Sequence, residues 1–263
     1  MHEGLIIAAS GGVKQQTKMD VLANNMANMN SAGFKSDGLT FREIYPPFDE
    51  KSSVMAGQNS LQPPNDSSAN VAYVAVDNFY TDHSQGIMQK TGNSLDLGLE
   101  GEGFFQVKTP NGIRYTRNGN FRMDNQNNLV TQDGNFVLDE AQQQIEIDAN
   151  GGQITIGKAG NITVGQGLAN AQAGQISLNE FEDQKVLIKE GNGLYKLMDP
   201  EVEPIQATNV TVHQGYLERS NVNSIEEMTN MITAIRAFEA YQKVIQTLDE
   251  ADDQAVNSIG RVV

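Results

Sequence analysis

The sequence predicts an α+β chain, with a long helix at each end and a central, mainly antiparallel β-domain between them. Three observations carry that prediction. Apolar residues recur at three- and four-residue steps near both termini. From about Asn70 the period shortens to two, and strand-sized segments alternate with turn residues. The composition agrees: 263 residues, 38% of them hydrophobic, with 25 Gly and no Trp, suit many short strands better than a compact helical enzyme. The organisation that follows is a helix over 1–35, an extended Pro-rich arm or linker over 36–69, a β-rich domain over 70–217 and a second helix over 218–263.

The first helix is expected from Leu5 to about Asn30. Leu5, Ala9, Gly12, Gln16, Met19, Ala23 and Met26 form a heptad-like seam of mostly small or flexible residues, and Leu22 and Met29 extend the apolar stripe. Such a seam admits close approach of another helix but buries little alone, so the helix depends on a partner. Asn24, Asn25, Asn28 and Asn30 give it a high amide density. Asn has modest helix propensity because its side chain competes for nearby backbone groups. These amides are therefore expected to bond outside their own helix. Ser31-Ala32-Gly33 should end it, with Gly33 as the left-handed C-terminal residue.

Between Ser36 and Ser68 the periodicity dissolves. Pro46-Pro47 and Pro63-Pro64 mark a linker or an arm that orders on assembly, with Phe41, Ile44, Tyr45 and Phe48 as apolar anchors. The β-region then opens with NVAYVAVDNFY. GFFQV and IRYTR flank Pro110-Asn111-Gly112 as a hairpin. NLVTQ, NFVLD, QIEID, QITIG, NITVG and GLYKL continue the series, punctuated by Asn118-Gly119, Asp133-Gly134 and Gly191-Asn192-Gly193. The near-doubling QITIGKAGNITVGQG also admits a small β-solenoid, although two copies are few for a stable stack.

At Ser224 the helical period returns. Ser224 with Glu227 spells a capping box. Met228, Met231, Ile235 and Phe238 make a seam that drifts to Tyr241, Ile245 and Leu248, as it must on a straight 3.6-residue helix. This helix would be about 50 Å long at its 1.5 Å rise per residue. One β-domain cannot cover both terminal stripes over such a length. The ends must pair with each other or with neighbours.

Chemistry is sparse. A net charge of −15 without a basic patch argues against nucleic-acid binding and against an anionic membrane surface. The absence of cysteine excludes disulfides and thiolate metal sites. No apolar run reaches transmembrane length, and the N-terminus lacks the basic and apolar regions of a secretory signal. His2, His83 and His213 are scattered and expected at the surface. Asp82-His83-Ser84 contains triad residue types, but adjacent side chains do not converge. Asn125 to Asn128 and Asp133-Gly134 fit hairpin turns better than a calcium loop, and GEGFF and GNGLY lack the trailing Lys-Ser/Thr of a phosphate loop. No catalytic residue, metal ligand or cofactor is expected.

ANNMAN (Ala23 to Asn28) followed by GFK (Gly33 to Lys35) resembles the N-terminal signature of the flagellar axial family of rod, hook and hook-associated proteins. GFFQV, YTRNGNF and LVTQDGNFVL resemble the β-domains of its rod and hook members. The stretch from Gly215 to Glu250, GYLERSNVNSIEEMTNMITAIRAFEAYQKVIQTLDE, resembles their C-terminal helix. Ser84 to Phe105 looks most like proximal-rod members, with distal-rod members close behind. The resemblance implies a structural subunit whose terminal helices pair as an antiparallel coiled coil, and whose copies stack into a hollow, torque-transmitting rod across the periplasm. It implies export through the flagellar type III apparatus without a cleaved signal peptide. The implied partners are copies of itself, other rod proteins and hook-side subunits. Subunit contacts are expected at Leu22, Asn24, Asn25, Met26, Asn28, Gly33, Phe34, Ser224, Met228, Met231, Ile235, Phe238, Tyr241, Ile245 and Leu248. The alternative is an extracellular β-domain binding module oligomerised by its helices.

Overall fold

The computed structural model of this chain describes residues 2–44, 73–148, 152–166 and 169–259. The chain divides into two compact units. One comprises Met1–Met26, Asp37–Tyr80 and Ser224–Val263; the other comprises Ala27–Ser36 and Thr81–Asn223. All strand registers resolved are antiparallel. With a helix at each end, this is the expected α+β chain.

The helical unit is built on α1 (His2–Ala27) and α2 (Ser224–Ile259). The helices meet where α1 is small. A Cβ on Gly4 would lie 3.6 Å from Leu248, one on Gly12 would lie 3.9 Å from Phe238, and one on Gly11 would overlap the Tyr241 ring at 2.4 Å. Near the end of α1, Asn25 Nδ2 donates to Glu227 Oε1 at 3.1 Å. As position rises along α1 it falls along α2, from Leu248 through Tyr241 and Phe238 to Glu227, so the two run in opposite directions. The contacting α1 face carries Gly4, Ala8, Gly11, Leu22 and Asn25, the last four of them buried. That face is turned by one residue from the expected seam, whose Gln16 and Ala23 are exposed.

A two-stranded ribbon, Asp37–Ile44 with Tyr73–Thr81, completes this unit. The first strand falls where sequence periodicity had dissolved. Gly38 lets the Tyr80 ring lie against its backbone, and Lys14 sits 4.8 Å from the Phe41 ring centroid. Of the expected arm, Tyr45, Phe48 and both Pro-Pro pairs lie outside the described residues.

The β-unit centres on one sheet running 187–191, 194–197, 112–116, 104–109, 136–137, 129–131 and 121–123, with Leu178–Glu180 pairing to Phe104–Thr109 as a branch. The expected GFFQV and IRYTR hairpin is present as Phe104–Thr109 against Gly112–Thr116. Alternation puts Phe104 and Phe105 on opposite faces, yet both are fully buried. Phe105 packs at 5.0 Å on Phe121 within the large core of Leu97, Leu99, Val107, Ile147 and Ile162. Phe104 joins a smaller aromatic core with Tyr115, Phe181, Leu187 and Tyr195. The QITIG and NITVG repeat forms an antiparallel pair, Gln153–Ile156 with Asn161–Gln166, extended by Ala169–Gln175. It is a meander, and the solenoid alternative falls.

Candidate functional site

The candidate site lies within the β-unit, where a segment from the N-terminal part of the chain is inserted. α1 stops at Ala27, six residues before Gly33, so Gly33 does not cap that helix. Its left-handed φ of 67° serves a different contact. A Cβ there would fall 2.4 Å from the Arg117 carbonyl carbon and 2.5 Å from the Asn118 nitrogen, so only glycine lets the two backbones touch. The Gly33 N–H donates to the Glu218 carbonyl at 2.8 Å.

Two residues on, Lys35 enters a closed charge cluster. Its Nζ lies 2.6 Å from Glu218 Oε1, with neither side chain exposed, and donates to the Ser84 carbonyl at 2.8 Å. Arg117 Nη1 reaches Glu218 Oε2 at 3.4 Å, and its Nη2 donates to the Gly101 carbonyl at 2.7 Å. The Gly86 N–H donates to Glu218 Oε1 at 2.8 Å. Burial lowers the pKa values of Lys35 and Arg117, while Glu218 opposes that shift at both. With the carboxylate bonded from several sides, the ionised arrangement is the one the geometry supports.

Asn221 holds the same segment from the other side. Its Oδ1 accepts from the Ser36 N–H at 2.8 Å, and its Nδ2 donates to the Asp82 carbonyl at 2.8 Å. Lys189 donates to the Lys35 carbonyl and sits 4.2 Å over the Phe34 ring. Lys35, Arg117 and Glu218 were missed as site residues. Lys35 and Arg117 are the sole charges of GFK and YTRNGNF, Glu218 stands beside Arg219 in GYLER, and only the fold brings the three together.

Apart from Asn28 and Phe34, the other expected site residues lie in the helical unit. Asn25 is buried, and its amide bonds the Asp37 backbone in both directions at 2.9 Å. It is therefore a clasp within the chain and not an outward-facing amide. Leu22 is also buried; Asn24 is exposed and Met26 half-buried. Asn28, half-buried in the β-unit, accepts from Ser31 Oγ at 3.3 Å. Half-buried Ser224 opens α2, but Glu227, its expected capping-box partner, gives one carboxylate oxygen to Asn25 and buries the other without a partner.

On α2 the expected seam splits in two. Met231, Phe238, Tyr241, Ile245 and Leu248 are half-buried with fully buried Ala234, whereas Met228 and Ile235 are exposed with Ile225 and Ile232. The exposed residues form a second apolar stripe. His83, expected at the surface, is half-buried with a buried Nδ1, while His213 pairs with Glu100 at 2.7 Å.

A closed charge cluster inside the β-unit and an exposed apolar stripe on α2 suit a structural protein. Three family models match in chain order: "Flagella basal body rod protein" over 5–35, "Flagellar hook protein FlgE/F/G D1 domain" over 98–164, and "Flagellar basal body rod FlgEFG protein C-terminal" over 213–258. The chain is 33% identical over 262 residues to the flagellar basal-body rod protein FlgF of Caulobacter vibrioides, covering 100% of both. It is 34% identical over 268 residues to FlgG of Bacillus subtilis, covering 98% of this chain and 99% of the relative. FlgG of Buchnera aphidicola is 35% identical over 259 residues, with 95% and 97% covered. The chain belongs to the flagellar basal-body rod protein family, a family of structural proteins and not of enzymes.

Proposed function

We propose that this chain is a subunit of the flagellar rod, in which α1 and α2 pair as an antiparallel coiled coil and copies stack helically around a central channel. One observation carries the reading: α2 has an apolar stripe left over after meeting α1. Ile225, Met228, Ile232 and Ile235 are 76%, 55%, 52% and 41% exposed at three- and four-residue spacing. An uncovered stripe of this kind is what stacking would bury. The proposed contacts are these residues together with Asn24 and Ser224, reached by neighbouring copies and adjacent rod or hook-side subunits. Export through the flagellar type III apparatus without cleavage, and a place spanning the periplasm, belong to the same proposal.

Within the family the Ser84–Phe105 stretch favours a FlgF-like, proximal position over a FlgG-like one. Restoring motility to a strain lacking FlgF, but not to one lacking FlgG, would establish that preference.

Ile235→Asp tests the stacking. An exposed substitution should change monomer stability by no more than about 0.5 kcal/mol. A carboxylate forced into the stacked interface would cost several kcal/mol, roughly, so the contact would open. The mutant should fold normally, fail to complete rods and leave cells without filaments. Wild-type motility would sink the proposal, and discrete oligomers in electron microscopy of the concentrated wild-type protein would favour the binding-module alternative.

A further inference from the structure

His83 lies in the wall of the socket that receives Ala27–Ser36. Its ring meets Phe104 edge-on at 5.8 Å and tilts against Tyr195 at 5.6 Å, leaving Nδ1 buried with no hydrogen-bond partner. The charged groups facing it are Lys35 from the inserted segment, Arg117 at the end of the central hairpin, Lys189 from Leu187–Gly191, and the acid Asp82 beside it in the chain. Glu218, the buried acid of the cluster, is already engaged by Lys35 and Arg117.

The neighbours of His83 hold the segment directly. The Asp82 N–H donates to the Ser36 carbonyl at 2.8 Å, and the Ser84 carbonyl accepts from Lys35 Nζ. The Asp82 carbonyl and Ser84 Oγ both accept from Asn221, at 2.8 and 3.0 Å, and Asn221 itself binds Ser36. A displacement of His83 therefore moves the groups that seat Lys35 and Ser36.

We propose that His83 is an acid trigger, whose protonation expels the ring from its aromatic niche and unseats Ala27–Ser36 from the β-unit. The neutral ring suits that niche. An imidazolium there would have no acceptor at Nδ1 and would face three cations against a single nearby acid. Burial first, then Lys35, Arg117 and Lys189, hold the His83 pKa down to about 4, below the ordinary 6.5. The seated form therefore resists a proton that the unseated form accepts. The stabilisation is complete above the ordinary histidine range and is lost as pH falls toward about 4. Over that window the unseating equilibrium rises about 20-fold between pH ~7 and pH ~5.

Hydrogen exchange in the full chain tests this at the amides of Gly33, Ser36 and Asp82, all bonded in the seated segment. Comparing wild type with His83→Phe at each pH cancels the intrinsic exchange rates. Equal protection is expected near neutrality. At pH ~5 the three wild-type amides should open about 20-fold more often, while the variant stays closed and core amides such as Val107 remain protected. The same pH response in both proteins, or simultaneous loss of core protection, would overturn the proposal. If His83→Phe does not fold, NMR titration of the wild-type imidazole decides. A seated-state pKa near 4 supports the trigger, and a value near 6.5 with the segment still protected refutes it.

Discussion

Lys35 and Glu218, 183 residues apart in sequence, meet at 2.6 Å with no solvent exposure of either side chain. Glu218 is the shared partner of Lys35 and Arg117, so removing it leaves two uncompensated buried cations, whereas removing Lys35 leaves the Arg117–Glu218 pair in place. Glu218→Leu should cost the β-unit about 3–5 kcal/mol in urea unfolding. Lys35→Met should cost less. A Lys35→Met variant as unstable as Glu218→Leu would show that Arg117 does not hold the carboxylate.

Gly33 is constrained twice, by its φ of 67° and by backbone atoms under 3 Å from any added Cβ. The left-handed conformation alone costs a non-glycine residue about 1–2 kcal/mol. Gly33→Ala should exceed that because the Arg117–Asn118 backbone cannot yield. Gly33→Asn tolerates the dihedral but carries the same Cβ, so it should be no better. Recovery of stability by Asn in a thermal melt would show that the clash is relieved.

Asn25→Leu deletes two bonds to Asp37 and one to Glu227. At about 1 kcal/mol net for each, the helical unit should lose roughly 3 kcal/mol, read as loss of helix signal at lower denaturant. This is a defect of the monomer itself. Unchanged monomer stability with impaired assembly would return Asn25 to the intermolecular role that its sequence suggests.

Glu227 shifts in the opposite direction from His83. Burial raises its carboxyl pKa, and the Asn25 hydrogen bond only partly offsets the rise. A raised folded-state value means the folded helical unit holds the proton more tightly than the unfolded chain does. The associated stability is present below the ordinary carboxyl value of 4.5 and is lost as pH rises through the folded value. Glu227→Gln keeps an acceptor for Asn25 and removes the charge. It should flatten the pH dependence of helix unfolding across the mildly acidic range. An unchanged slope would locate the titration elsewhere.

The sequence by itself determined the α+β class, the two terminal helices, the central hairpin and the family, because these rest on local period and on motif spelling. Gly103 to Val107 and Ile113 to Arg117 read as strands from alternation and a turn alone, and they stand in the structure as Phe104–Thr109 and Gly112–Thr116. Tertiary structure decided which helical face is used. Periodicity fixes a stripe to within about one residue, or 100° of rotation, and small residues make neighbouring stripes equally plausible. Gly11 against Tyr241 chose between them by close approach. It also decided that Asp37–Ile44 is a strand, because its partner Tyr73–Thr81 lies across a long Pro-rich interval and pairing is non-local. The amide at Asn25 read as outward-facing until the Asp37 backbone came beside it. Lys35, Arg117 and Glu218 lie in three separate motifs, and nothing in the spelling of any one singles out its charge. Their burial follows from a glycine-permitted backbone contact, and no local pattern encodes a meeting across 183 residues.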